Sequence, residues 1–124
     1  MMLIEGPLCY KITGCCYRVH NKLGRFASER QFCDELQQEC TKARINFNRE
    51  FEIHNLVETA SLGNRVDFLI EGRVLFDAKA KKFITKEDYM QMMRYLYASN
   101  LKLGLVVNFR MTYIKPKRIL NNRV

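Results

Sequence analysis

The sequence lacks the long apolar segments that mark membrane proteins. Apolar runs such as residues 103–107, which include Gly104, are far shorter than the ~20 residues that a helix needs to cross a bilayer. Residues 1–7 contain no basic cluster ahead of an apolar stretch, so they do not resemble a secretory signal. We therefore expect a cytoplasmic protein that does not interact with membranes.

The cysteines also lack the spacing of a disulfide framework or a metal site. They are odd in number, they form no Cys-x-x-Cys pair, and all lie in segments that we predict to be helical: Cys9, Cys15, Cys16, Cys33 and Cys40. His20 and His54 do not supply the partner spacing that a structural zinc site needs. Nothing in the spacing resembles an iron–sulfur motif. We expect buried, reduced thiols.

No repeat, low-complexity tract or linker divides the chain. Its 124 residues are 48% hydrophobic and 27% charged, which is ordinary globular usage, and we expect residues 1–124 to form a single domain. The net charge of +8 favours polyanionic partners, with nucleic acid the natural candidate. The alternative is that the protein is basic without binding nucleic acid.

Hydrophobic periodicity predicts the element order ααβββαββ. The helical period covers residues 8–23, 28–44 and 85–99, and the extended segments are 48–57, 65–70, 74–79, 103–109 and 112–120. We expect Ser28 to cap the second helix. In the third helix, the residues predicted to face inward are Tyr89, Met92, Met93, Leu96 and Tyr97.

The order of these elements predicts a mixed sheet. A strand, a helix and then a fully apolar strand call for a right-handed crossover, so residues 74–79 and 103–109 should be parallel. Residues 65–70 and 74–79 form a hairpin whose turn contains Gly72. We therefore predict an α/β fold with a central mixed β-sheet flanked by helices. We expect the connection at residues 61–64 to be mobile.

Three charged residues lie in otherwise apolar strands, where burial of an unpaired charge is costly: Asp67, Asp77 and Lys79. Alternation along a strand places Asp77 and Lys79 on one face. The position of Asp67 depends on the hairpin register. A three-residue loop pairs residue 70 with 74 and sets Asp67 opposite Asp77, whereas a two-residue loop pairs Asp67 with residue 76 and separates the carboxylates.

Two carboxylates on one face repel each other, and a hard divalent cation such as Mg²⁺ or Mn²⁺ neutralises such a pair. A cation held by Asp67, Asp77 and the Ala78 carbonyl could acidify a bound water, while Lys79 orients that water or offsets developing charge. This is the chemistry of phosphodiester hydrolysis. The alternative is a structural ion pair between Lys79 and one aspartate, because Asp-x-Lys tripeptides are common.

These strand residues resemble the motif of the PD-(D/E)xK nuclease superfamily. Val66-Asp67 stands in place of Pro-Asp, and Asp77-Ala78-Lys79 matches (D/E)xK. Over about residues 8–120 the chain resembles the small GxxExxY proteins of that superfamily, at Ile12-Thr13-Gly14, Val19-His20, Leu23-Gly24, Ser28-Glu29, Phe32, Gln91, Tyr95-Leu96 and residues 105–109. Phe32 stands where the family name has tyrosine, and Asp77 where relatives often have glutamate.

The resemblance implies a restriction-endonuclease-like core and two more site residues. Glu29 is similar to the helix glutamate that other members contribute as a further metal ligand. Gln91 resembles the glutamine of the Q-x-x-x-Y element, which supports the site. The implied function is a metal-dependent nuclease acting on DNA or RNA with little intrinsic sequence specificity.

Two other interpretations remain open. The same fold could serve as a non-catalytic nucleic-acid-binding or protein-interaction module, for example an accessory subunit. A homodimer or a partner protein is also open. In either interpretation, basic residues could hold phosphates without reading bases, although such clusters are often only a solvated face: Lys81, Lys82, Lys86, Lys115, Lys117 and Arg118.

Overall fold

The computed structural model describes residues 3–53 and 65–124, which form an α/β fold around a five-stranded sheet. The elements, in chain order, are α1 (Gly6–Leu23), α2 (Glu29–Lys42), β1 (Phe47–Glu52), β2 (Arg65–Ile70), β3 (Val74–Lys79), α3 (Lys86–Ser99), β4 (Leu103–Asn108) and β5 (Lys117–Leu120). The predicted order is confirmed, and the predicted bounds of β2 and β3 are correct. Residues 54–57 of the first predicted strand and the predicted mobile connection at 61–64 lie outside the described residues.

The first two helices begin and end at local signals. Gly24, with a φ of 75°, ends α1, and its N–H donates to the carbonyl of His20. Ser28 caps α2 as predicted, in a capping box with Gln31. α2 ends at Lys42, slightly before the predicted boundary.

The third helix corrects one prediction. Thr85 caps α3 through a capping box with Asp88, and Asn100 ends it in the left-handed conformation. The buried stripe runs through Asp88, Met92 and Tyr95, so Tyr89 turns to solvent and is 43% exposed. The prediction that Tyr89 faces inward was therefore wrong. Tyr97, also predicted to face inward, is only half-buried.

The sheet has the strand order β1-β2-β3-β4-β5. β3 and β4 are parallel, with α3 as the connection between them, and the other neighbouring strands are antiparallel. Every residue of β4 is buried, as its unbroken apolar sequence predicted. β5 is shorter than predicted because only residues 117–120 pair with β4, directly after Pro116, which has no N–H to donate.

Two hydrophobic layers cover the sheet. α1 and α2 pack on one face, around four fully buried rings: Phe32, Phe68, Phe76 and Phe109. α3 packs on the other, where Met92 and Leu96 contact the opposite side of the strands. The five cysteines are unpaired and buried in α1 and α2, which confirms their predicted burial. Within the described ranges, no helix is both long and apolar enough to cross a membrane.

Candidate active site

The turn between β2 and β3 sets the register on which the site depends. Glu71 and Gly72 both have positive φ values, of 52° and 65°, and the N–H of Arg73 donates to the carbonyl of Ile70 at 3.0 Å. Both features are those of a type I′ turn. Ile70 pairs with Val74 across a three-residue loop, so the register that sets the two aspartates opposite each other is confirmed.

The two aspartates replace backbone acceptors in the hairpin. The regular pairing of β2 with β3 stops at Phe68 and Phe76. Beyond it, the N–H of Asp67 donates to Oδ1 of Asp77 at 3.1 Å, and the N–H of Ala78 donates to Oδ2 of Asp67 at 2.8 Å. Each carboxylate is thus fixed by a main-chain donor of the opposite strand.

Side-chain alternation along β2 is interrupted at Asp67. Val66 packs in the α3 layer and Phe68 in the α1 and α2 layer, although residues two apart normally share a face. In the neighbouring strand β1, Glu50 has a φ of 51°, and the β1–β2 pairing steps over Glu50 and Asp67. This irregularity lets Asp67 bond to β3 while also lining a cavity beside α2.

Burial raises the pKa of both aspartates, and repulsion by Asp77 raises that of Asp67 further. Burial is the main cause of the rise in the pKa of Asp67 to about 7, and the charge of Asp77 adds to it. Burial also raises the pKa of Asp77, whose side chain is near the opposing charge of Lys79. Two desolvated carboxylates that repel each other gain most from a nearby cation.

Lys79 supplies one such cation. Its Nζ lies 3.3 Å from Oδ2 of Asp77 and donates to Oε1 of Gln91 at 3.2 Å. Burial on its own would lower the pKa of Lys79, but the charge and hydrogen bond of Asp77 outweigh it and leave that pKa raised. The lysine is therefore a fixed positive charge, held between β3 and α3.

Sequence reasoning missed two polar residues beside Lys79. Asp88, which is 8% exposed, accepts from Nζ of Lys81 at 2.9 Å and lies 3.8 Å from Nζ of Lys79. Asn108, at the end of β4, accepts from the N–H of Lys81 at 3.2 Å and donates to its carbonyl at 2.7 Å. The Thr85-x-x-Asp88 capping box and the polar end of an apolar strand were the available signals.

Glu29 lies in the first turn of α2 and shares a cavity of about 450 Å³ with Asp67. Its side chain is exposed, and its charge contributes to the raised pKa of Asp67. Among residues 3–53 and 65–124, no three His, Cys, Asp or Glu side chains are arranged to hold a metal ion.

The donor chemistry nevertheless fits a hard cation. Mg²⁺ is usually bound by one or two carboxylates and completes its shell with water. Asp67 and Asp77 provide such a pair of buried oxygen donors. The residues present therefore fit Mg²⁺ or Mn²⁺ in its usual mode.

The predicted phosphate-binding residues separate into two groups. Lys82, Lys115 and Lys117 line one cavity of about 270 Å³, and Lys86 joins Lys117 in the next, of about 260 Å³. The other two basic side chains make internal contacts. Lys81 pairs with Asp88, while Arg118 donates to the carbonyl of Ile4 at 2.6 Å and to Sγ of Cys9 at 3.2 Å.

Comparison with known proteins gives a family match and one structural similarity. The family model of the PD-(D/E)XK nuclease superfamily matches residues 7–120. The crystal structure of an alkaline exonuclease (LHK-Exo) from Laribacter hongkongensis is similar to this chain, with 14% sequence identity and a TM-score of 0.49 over 99% of this chain and 73% of that chain. No curated protein sequence matches significantly. The family match spans nearly the whole chain, including α2, the β2–β3 hairpin and α3, and the chain belongs to the PD-(D/E)XK nuclease superfamily.

Proposed function

We propose that this protein is a metal-dependent nuclease that hydrolyses phosphodiester bonds of DNA or RNA with little intrinsic sequence specificity. Its superfamily membership supports the reaction class. The observation that carries the proposal is the pair of carboxylates Asp67 and Asp77, each of which accepts a hydrogen bond from a main-chain N–H of the opposite strand. The ammonium of Lys79 lies 3.3 Å from Asp77. Such an arrangement combines a cation site with a fixed positive charge.

In this proposal, Mg²⁺ or Mn²⁺ is held by Asp67, Asp77, the Ala78 carbonyl and Glu29. The bound cation would lower the pKa of a water molecule and offset negative charge on the phosphate. The backbone donors that fix Asp67 and Asp77 keep both carboxylates in place before any cation binds. Preorganisation of this kind avoids reorganisation during the reaction.

Lys79 and Gln91 have separate parts in the proposed reaction. Lys79 would stabilise the charge that develops on the phosphate, because its ammonium is partly desolvated and cannot readily be screened by water. Gln91 would act as a positioning residue, since its Oε1 accepts a hydrogen bond from that ammonium at 3.2 Å. Neither residue would read a base.

Low specificity follows from the kind of contact that the basic surface offers. Four lysines of the two adjoining cavities would contact phosphates, which are the same at every sequence: Lys82, Lys86, Lys115 and Lys117. The GxxExxY resemblance fits this proposal of a small nuclease domain over residues 1–124.

The experiment is a cleavage assay with the full chain on single-stranded DNA, duplex DNA and RNA, with Mg²⁺, Mn²⁺ or a chelator. We expect metal-dependent cleavage and a loss of at least about 100-fold in rate for Asp77→Asn and for Lys79→Ala. Glu52→Gln, which removes an exposed carboxylate from β1, is the matched control and should cleave like wild type.

Two results would contradict the proposal. One is the absence of metal-dependent cleavage of all three substrates. The other is Asp77→Asn cleavage at the wild-type rate. Salt-sensitive binding without cleavage would instead favour a non-catalytic nucleic-acid-binding module.

A further inference from the structure

Two half-buried arginines and an exposed phenylalanine form a cluster between the α1–α2 connection and the end of β4. Nε of Arg25 donates to the carbonyl of Arg110 at 2.7 Å, and Nε of Arg110 donates to the carbonyl of Arg25 at 2.9 Å. The two guanidinium carbons lie 4.6 and 5.6 Å from the centre of the Phe26 ring. We call these three residues the Phe26 cluster.

The cluster remains available to a ligand. Phe26 is 73% exposed even with both guanidiniums beside it. In the part of the chain that the structure describes, neither Arg25 nor Arg110 forms an ion pair with a carboxylate. Single exposed apolar residues are common, but an exposed ring beside two cations that are fixed by reciprocal hydrogen bonds is an ordered, positively charged surface.

The cluster is linked to residues of the proposed active site at two points. Arg110 follows β4, and its N–H donates to Oδ1 of Asn108, the residue that pairs with Lys79. On the other side, Phe26 comes three residues before Glu29 in the connection that leads into α2. The rings of Phe32 and Phe109, stacked 4.6 Å apart, pack these two segments together.

A second aromatic residue lies among cations on the same edge of the sheet. Phe83, 70% exposed, follows β3 and lines the cavity that also contains Lys82, Lys115 and Lys117. Because β3 and β4 are parallel, the segments that follow them leave the sheet at the same edge. Exposed rings beside cations therefore occur at two places along this edge.

We propose that the Phe26 cluster binds an unpaired strand of nucleic acid, with a base stacked on Phe26 and the adjacent phosphates contacting Arg25 and Arg110. Aromatic rings beside cations are the usual platform for single strands, because every base has a face that can stack. A duplex keeps all but its terminal base faces internal, so along its length it offers phosphates to the arginines but nothing to the ring. An acidic protein segment would likewise use the charges and gain little from the ring.

The test is binding of a fluorescent oligonucleotide, unpaired or annealed to its complement, measured by anisotropy in a chelator. Phe26→Ala should weaken binding of the unpaired probe by about five-fold or more and change duplex binding by less than about two-fold. Phe26→Trp should retain affinity for the unpaired probe, since it keeps a stacking ring. Tyr10→Ala is the control, because Tyr10 is an 82% exposed aromatic residue of α1 outside the cluster.

Three results would overturn the inference: unchanged affinity of Phe26→Ala for the unpaired probe, equal losses for unpaired and duplex probes, or an equal loss for Tyr10→Ala. If Phe26→Ala changed the affinity for neither probe, a protein partner of the cluster would be favoured instead. The inference takes its ligand, nucleic acid, from the proposed function. Its test is independent of cleavage, because binding is measured in a chelator. Selective binding without cleavage would refute only the nuclease proposal, and cleavage without an effect of Phe26→Ala would refute only this inference.

Discussion

Replacement of Asp67 by asparagine should stabilise the metal-free protein and abolish its stabilisation by divalent cations. The pKa of Asp67 is raised from 3.8 to about 7 in the folded protein, mainly by burial. Between those two values the folded state therefore binds more protons than the unfolded state. Stability must fall as the pH rises through this window, and above it the full cost of a buried charge is present.

The size of the effect follows from the pKa difference. A shift of about three units at 1.36 kcal/mol per unit gives an upper bound of about 4 kcal/mol, part of which belongs to the repulsion between Asp67 and Asp77. Asparagine keeps an oxygen that can accept the hydrogen bond from the N–H of Ala78, so the hairpin should retain its geometry. We expect Asp67→Asn to raise the melting temperature by at least about 4 °C near pH 8.

Thermal melts across this pH window, in a chelator and with Mg²⁺, provide the measurement. The gain from Asp67→Asn should shrink as the pH falls toward about 4, where Asp67 is protonated in folded protein. Mg²⁺ should raise the melting temperature of wild type but not of Asp67→Asn. Glu52→Gln, on the exposed side of β1, is the control and should change little. A lower melting temperature for Asp67→Asn near pH 8 in chelator would refute the reasoning, as would an undiminished response to Mg²⁺.

Three further predictions concern packing, the turn and the positioning of the lysine. Gly104→Ala should lower the free energy of unfolding by about 1–3 kcal/mol, because its Cβ would collide with the thioether of Met92. Gly14→Ala in α1, whose Cβ would meet only ordinary contacts, should instead raise the free energy of unfolding by about 0.5–1 kcal/mol. Urea titration measures both values, and equal effects of the two variants would contradict the prediction. Gly72→Ala should lower the free energy of unfolding by about 1 kcal/mol in the same assay, because φ at this position is 65°. An unchanged free energy of unfolding would contradict the turn geometry. Gln91→Ala should lower kcat by about 10- to 100-fold with little change in KM, and a KM effect alone would contradict a positioning role.

Local sequence patterns were sufficient to predict the hairpin. The β-branched and aromatic runs predicted the bounds of β2 and β3, and Gly72 indicated the turn between them. The sequence left a three-residue and a two-residue loop open, and the structure has the three-residue loop that sets Asp67 opposite Asp77. The break in side-chain alternation at Asp67 was not predictable from the sequence. It depends on carboxylates that replace backbone acceptors and on the positive φ of Glu50 in the neighbouring strand.

Features that depend on tertiary contacts were missed or wrong. Tyr89 lies on the apolar stripe of α3 by spacing, but the helix orientation on the sheet buries Tyr95 and leaves Tyr89 exposed. Composition counts Lys81 among the free cations, while the structure pairs it with Asp88. Phe26 lies in a connection without a periodic apolar pattern, and Arg110 is far from it in the sequence. The sequence therefore did not indicate that two arginines would contact its ring.

The proposed function requires one cation between Asp67 and Asp77. A crystal structure of the full chain soaked in Mn²⁺, with anomalous scattering recorded for the metal, tests it most directly. We predict one anomalous peak within about 2.0–2.3 Å of an oxygen from each carboxylate. A peak that contacts only one aspartate, or no peak at the hairpin while the protein binds Mn²⁺ elsewhere, would contradict it.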